Sequence, residues 1–363
     1  MWFRTWTKTV TLHGTNGIDA VHQQPKLPIR PMTIAHCLCA FALLAVASAH
    51  AQKTPPLPPK PIAREIAPHV FLLPGAVPED RGPDGNTVIY EVPKGLVVVD
   101  TGRHVWHSDA ILAFAAGRKQ DIVAIVNTHW HLDHSSGNRR LKAAYPQALV
   151  YTTAAVDRAL GTFLAKSHAR AKDRAAKGGM EPVQAQETQL FLDTMEHANT
   201  LRPDVTVARS QNLVLGGKSF DVRVTDRAVT DSDLWLYDSA SRVAALGDLV
   251  TLPAPFFETA CPAQWSTALD QVWAVPFEIA IPGHGDPMSR DEFDRYRGGY
   301  KAFIACVRGS DDAKSCAAAW AQTVAPLQGN TASGKAQALE YAEYYVGMLR
   351  EHGGKSAECR APG

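Results

Sequence analysis

The chain has 363 residues, 45% hydrophobic and 20% charged, with 37 Lys/Arg against 36 Asp/Glu and 14 His. That is enough apolar sequence to bury one large core. The near balance of charge lacks the basic excess that marks nucleic-acid or anionic-membrane binding.

Residues 1–51 read as an N-terminal extension plus a signal peptide. From Ile34 to Ala49 the chain is almost wholly apolar, and Ala49-His50-Ala51 offers a small-x-small cleavage site. The run is too short to cross about 30 Å of hydrocarbon and has the length of a signal core. Met1 to Pro31 is polar and irregular, and Met32 stands immediately before the core, so translation is expected to start at Met32. Residues 1–51 hold four of the basic residues and one acidic residue, Asp19, which leaves 33 against 35 and a mature charge of −2. No second long apolar run follows, so the mature protein is expected to be periplasmic or secreted and free of the membrane.

Residues 52–64 form a proline-rich linker, in which Thr54–Pro61 should be stiff polyproline. The main domain is assigned to 65–300, with the fold beginning near Ile66, and a helical extension to 301–363. Val70–Leu73, Thr87–Val92 and Leu96–Val99 read as strands between turn residues. A helix is expected over His107–Arg118, then a buried strand over Ile122–Val126.

That strand runs into His129-Trp130-His131-Leu132-Asp133-His134, four metal-competent side chains within six residues. Positions i and i+2 of an extended segment project to one side, so His129 and His131 can converge on one ion. Asp133 and His134 follow once the chain has begun to turn, and can address a second ion about 3.5–4 Å away. His104 and His107, after the Asp100-Thr101-Gly102 turn, are secondary candidates, for substrate contact or as a further metal ligand. His69, His168, His197 and His352 read as surface or packing residues.

Residues 153–200 have helical composition broken at Gly178-Gly179, and read as a solvated insertion in preference to a lid. Val205–Ala208, Leu213–Leu215, Phe220–Val224, Leu234–Tyr237 and Val243–Leu246 form a second run of strands, with Gly216-Gly217 as a hairpin signal. Ser289-Arg290-Asp291-Glu292 matches a capping box and opens a helix toward Ile304. Further helices are expected over Ala313–Val324 and Gly334–Leu349, with Tyr341, Tyr344, Tyr345 and Met348 packing on the core. Cys37 and Cys39 leave with the signal. The remaining Cys261, Cys306, Cys316 and Cys359 suit an exported protein with disulfides, and allow three connectivities. Cys306–Cys316 closes a short loop between helices and is preferred, which pairs Cys261 with Cys359.

Thr128-His129-Trp130-His131-Leu132-Asp133-His134 resembles the signature of the metallo-β-lactamase-fold hydrolase superfamily. Three more segments extend the resemblance in order: Val99-Asp100-Thr101-Gly102, Leu246-Gly247-Asp248-Leu249 and Pro282-Gly283-His284-Gly285. It covers roughly residues 65–300. It implies an α+β, four-layer αβ/βα sandwich with metals at one edge between the sheets. It also implies that Asp248 bridges two ions and that His284 completes the second site with Asp133 and His134. Tight Gly-flanked turning around His284 would bring its ring to that site.

One ligand of the family pattern is missing. A His before a Thr normally belongs to the first site, and the matching stretch Ala228-Val229-Thr230-Asp231-Ser232-Asp233 places Val229 there. The first site then keeps His129, His131 and an oxygen of Asp248, with Asp226 or Asp231 as candidate replacements and His104 or His107 as a residue that could make up for Val229. Zinc catalysis needs about three protein ligands and an open position, so the donor set accommodates one Zn²⁺ ion or two. The resemblance implies a hydrolase in which zinc activates water, with Asp133 as the catalytic carboxylate, acting on a small ester, thioester, lactone or lactam-like substrate. The alternative is a catalytically degenerate metal-binding or ligand-binding protein of the same fold. Fold does not decide the substrate.

Overall fold

A strand buried on both faces must be apolar almost throughout, and this pattern recurs in both halves of the chain. The computed structural model describes residues 59–78 and 80–359, all within one unit, Pro55–Gly363. The start, signal and cleavage expectations and most of the proline-rich linker lie outside the described residues.

The first sheet holds seven strands in chain order: β1 (Arg64–Ala67), β2 (Val70–Leu73), β3 (Thr87–Val92), β4 (Gly95–Val99), β5 (Ile122–Val126), β6 (Leu149–Thr152) and β7 (Val205–Thr206). β1 to β4 pair antiparallel and β4 to β7 pair parallel. Each parallel step needs a crossover. It is supplied by α1 (Val105–Arg118), then α2 (Leu132–Ser135) and α3 (Asn138–Ala144), then α4 (Ala155–Gly161), α5 (Phe163–Lys177) and α6 (Pro182–Glu196).

The second sheet runs β13 (Met288–Ser289), β12 (Ile279–His284), β11 (Val243–Thr251), β10 (Ser232–Asp238), β9 (Lys218–Asp226), β8 (Gln211–Leu215). All its pairings are antiparallel except β11 with β12, which are parallel across α7 (Pro262–Trp273). Gly216 and Gly217 join β8 to β9 with φ of 56° and 90°. Two consecutive positive φ values are what a tight hairpin requires and what glycine supplies without steric cost.

The layers follow from strand alternation. Val88 and Tyr90 of β3 and Val97 and Val99 of β4 face Phe220, Val222, Leu234 and Leu236 of the other sheet. Ile89, Leu96 and Val98 turn the opposite way, onto Ile111 and Ala115 of α1 and Leu141 of α3. Trp235, Ala244 and Leu246 on the outer face of the second sheet pack on α7 and on α8 (Arg290–Arg308), α9 (Ala313–Val324) and α10 (Ala332–Glu351). The result is helix, sheet, sheet, helix, with a helical C-terminal region, as the resemblance implies.

The capping box at Ser289 and Glu292 is formed, both bonds present, and starts α8. The 300/301 division falls inside α8, and Trp320 of α9 and Tyr345 of α10 share the core of α7, so the C-terminal helices are packed into the sandwich. Cys261 bonds Cys359 and Cys306 bonds Cys316. Among the described residues, no helix is long and apolar enough to cross a membrane.

Two sequence expectations need correction, and one strand was missed. Val205–Thr206 belongs to the first sheet, pairing parallel with β6, because the inserted helices return the chain to that sheet's edge. The missed strand is β6, only four residues long, whose Leu149-Val150-Tyr151 run follows the turn at Pro146. His284 does not sit in a free loop but ends β12, whose Pro282-Gly283 masks a strand pattern.

Candidate metal centre

Parallel pairing brings the carboxyl ends of β4 and β5 together in one sheet and those of β11 and β12 together in the other. Asp100 follows β4, residues 128–134 follow β5, Asp248 lies in β11 and His284 ends β12. Six side chains singled out from the sequence therefore meet at one edge. His129, His131, Asp133, His134, Asp248 and His284 are all buried.

Asp248 stands between two groups. Its Oδ1 lies 3.1 Å from His134 Nε2 and 3.5 Å from His284 Nε2. Its Oδ2 lies 3.6 Å from His129 Nε2 and 3.8 Å from His131 Nδ1. Asp133 Oδ2 closes the first of these groups at 3.0 Å from His284 Nε2 and 3.6 Å from His134 Nε2. Ligating atoms of Asp133, His134 and His284, and likewise of His129, His134 and Asp248, lie within 4.8 Å of one another. His134 thus borders both groups.

The donors fit a cation. His129 Nε2, His131 Nδ1, Asp133 Oδ2 and Asp248 Oδ1 are buried and make no well-aligned hydrogen bond among the described residues, although imidazole nitrogens lie within 3.0–3.1 Å of the two carboxylate oxygens. Leaving such atoms unpaired costs about 1–3 kcal/mol each, more when charged, and divalent ions, one beside each oxygen of Asp248, would satisfy them. Metal ligands must be deprotonated. Burial would lower the pKa of His134, but the carboxylates of Asp248, Asp133 and Asp100 raise it, so this side chain would have to give up a proton to an incoming ion. Burial, with the charges of His134 and His131, pushes His129 down to about 4. Burial alone would raise Asp133 and Asp248, but the positive charge of His134 and the neighbouring His284 outweigh it and hold both well below the usual carboxylate range.

Outer hydrogen bonds choose which imidazole nitrogen faces inward. Thr128 Oγ1 donates to Asp100 Oδ2 (2.7 Å), so it accepts from His129 Nδ1 (3.0 Å) and leaves Nε2 for the site. Asp100 Oδ2 also accepts from His134 Nδ1 (2.8 Å). Thr259 Oγ1 donates to the Val229 carbonyl (2.9 Å), so it accepts from His131 Nε2 (3.0 Å) and leaves Nδ1 inward.

Glycines let the ligands approach. A Cβ on Gly85 would lie 2.5 Å from His134 Cε1, and one on Gly283 would lie 2.0 Å from Asp248 Oδ1. Sequence reading missed Gly85, Asn86 and Thr259. The dense turn composition of Gly82-Pro83-Asp84-Gly85-Asn86 before β3 was the available signal for the first two; a lone Thr259 carries none.

The secondary candidates lie elsewhere. His104 is bound by Asp84 and Glu187, and His107 Nε2 lies 2.8 Å from Thr87 Oγ1. Asp231 pairs with Arg158 at 3.5 Å and Asp226 is exposed, so neither replaces the missing ligand. Val229 is buried in the apolar core, and its turn is held by Asp233, which accepts from Val229 N and Thr230 N (both 3.0 Å). Restoring a donor there should strengthen the His129/His131 side. Val229→His is expected to raise zinc affinity at that side by at least about tenfold, or 1.4 kcal/mol, in a chelator-competition titration. An unchanged titration would mean that position 229 does not address the site.

Residues 80–284 match the metallo-beta-lactamase superfamily, and the chain belongs to that family. It is 26% identical over 231 residues to a linear primary-alkylsulfatase from Pseudomonas sp., a match covering 56% of this chain and 42% of the relative. The chain therefore spans less than half of that relative's length. Among solved structures, the stereoselective inverting sec-alkylsulfatase Pisa1 from Pseudomonas sp. aligns with TM-score 0.51 and 19% identity, over 68% of this chain and 42% of that one. A metallo-beta-lactamase from Pontibacter korlensis aligns with TM-score 0.48 and 19% identity, over 66% of this chain and 98% of that one.

Proposed function

We propose that the mature chain is an exported zinc-dependent hydrolase acting on a small ester, thioester, lactone or lactam-like substrate. The observation that carries this reading is the set of four buried donor atoms, none with a well-aligned hydrogen bond, converging around Asp248. His129, His131 and Asp248 Oδ2 would hold one ion, and Asp133, His134, His284 and Asp248 Oδ1 the other. When bound, zinc supplies a Lewis acid that brings the pKa of water from 15.7 toward about 7 and polarises the substrate's reacting oxygen.

The protein's own contribution is placement. Asp133 would serve both as a ligand and as the carboxylate that orients the attacking water. Asp100, Thr128 and Thr259 fix the imidazole tautomers, which removes reorganisation when charge develops. A balanced surface charge and the absence of a basic stripe in the sequence favour a small molecule over nucleic acid. The alkylsulfatase relative adds alkyl sulfates to the ester classes worth testing.

The test is metal content per mature chain, by elemental analysis after purification without added metal or chelator, together with hydrolysis of an ester, thioester, lactone, lactam and alkyl sulfate panel. One or two zinc ions and chelator-sensitive turnover support the reading. Stoichiometric metal without turnover on any class would favour the degenerate binding protein that Val229 suggests. No metal, even after zinc addition, would overturn the enzyme reading.

A further inference from the structure

The inserted helices reach the metal centre through a buried charge cluster that the proposed chemistry does not use. Glu187, on α6, is buried, with Oε1 3.0 Å from His104 Nε2 and Oε2 accepting from Gly82 N (3.0 Å) beside Arg103 Nε (3.4 Å). The other nitrogen of His104, Nδ1, lies 2.9 Å from Asp84 Oδ2, while Asp84 Oδ1 accepts from the backbone of Arg103 (2.7 Å) and His104 (2.8 Å). Trp106 Nε1 donates to Asp84 Oδ2 (3.1 Å), and its ring stacks on His104 at 3.9 Å. A carboxylate only accepts, so an imidazole between two of them donates from both nitrogens and is a cation. Asp84, Glu187, His104 and Arg103 then sum to zero charge, the arrangement in which buried ions are tolerated.

Asp84 leads directly to the ligands. The next residue, Gly85, donates its N–H to Asp133 O (2.9 Å) and packs on the His134 ring. Asn86 donates from its backbone N to Gly283 O (2.7 Å) and from Nδ2 to Pro282 O (2.9 Å) and Gly285 O (2.8 Å), gripping both sides of His284. Three consecutive residues thus join α2, which carries Asp133 and His134, to the His284 strand, and the first of them is bolted to α6.

We infer that Glu187 is a positioning residue for the metal centre: through His104 and Asp84 it fixes the 84–86 segment that sets Asp133, His134 and His284 relative to one another. The inserted helices 153–200 are therefore part of the site's support, not a solvated appendage. This rests on the metal-hydrolase reading above.

The test is zinc affinity of the metal-free mature protein by chelator competition, in Glu187→Gln and Asn86→Ala, at a temperature where circular dichroism shows both folded. Gln keeps the length of Glu but sets an amide N–H₂ against either His104 N–H or Gly82 N–H. Both variants are expected to bind zinc about 10–100-fold more weakly, the range seen when outer partners of ligands are removed. Phe303→Leu, in the core of α8 away from the clip, should lower the melting temperature but leave zinc affinity within twofold. Glu187→Gln with wild-type affinity overturns the inference and leaves the hydrolase reading standing. A comparable loss in Phe303→Leu also overturns it, because general loosening would then explain the effect. Wild-type protein that binds no zinc removes the hydrolase reading and this inference together.

Discussion

Asp248→Asn is expected to cost at least one metal ion per chain and about 10³-fold or more in hydrolysis. The two carboxylate oxygens face opposite groups, Oδ1 toward His134 and His284 and Oδ2 toward His129 and His131. An amide of the same shape keeps one acceptor and turns an N–H₂ toward lone pairs meant for a cation. It also removes the negative charge shared by both halves, in a buried setting where charge interactions are strong. A 10³-fold loss corresponds to about 4 kcal/mol of barrier, a reasonable share for a carboxylate whose two oxygens face both sides. Elemental analysis and kcat/KM on the best panel substrate would measure it, with circular dichroism to show the fold intact. Wild-type metal content in the variant would refute the bridging assignment.

Gly283→Ala should disable the centre almost as fully without touching a ligand. The added Cβ would meet Asp248 Oδ1 at 2.0 Å and, at 2.8 Å, the Asp248 N and Gly247 C backbone atoms. Backbone cannot swing aside as a side-chain tip can, so β11 and β12 must separate where Gly247 pairs with Pro282. Overpacking of this kind typically costs about 1–3 kcal/mol, and here the displaced group is the shared carboxylate. The expected result is a lower melting temperature together with lost zinc. Gly347→Ala is the natural control: nothing lies within 4 Å of its Cβ position and it sits inside α10. There alanine should be neutral or stabilising by up to about 1 kcal/mol. Equal metal content in both variants would show that the Gly283 approach is not what holds Asp248.

The sequence by itself determined the family, the layer plan and the six converging side chains. Two strongly local signals carry the strands and the four donors of residues 129–134, while Asp248 and His284 came from the resemblance to the family. Strands buried on both faces leave apolar runs such as Val97-Val98-Val99, and four donors in six residues have few other readings. Both disulfide pairings were also within reach, since helix positions around Cys306 and Cys316 left Cys261 and Cys359 for each other.

Only the tertiary structure decided the rest, because it depends on residues distant in sequence. Thr259 selects the tautomer of His131 from 128 positions away, and Glu187 holds His104 from 83. Nothing local marks either side chain. The same holds for His104 and His107, which looked available after their turn and are bound to Asp84, Glu187 and Thr87. Strand β7 went to the first sheet because three inserted helices carry the chain back to that edge, a matter of packing that no local pattern encodes.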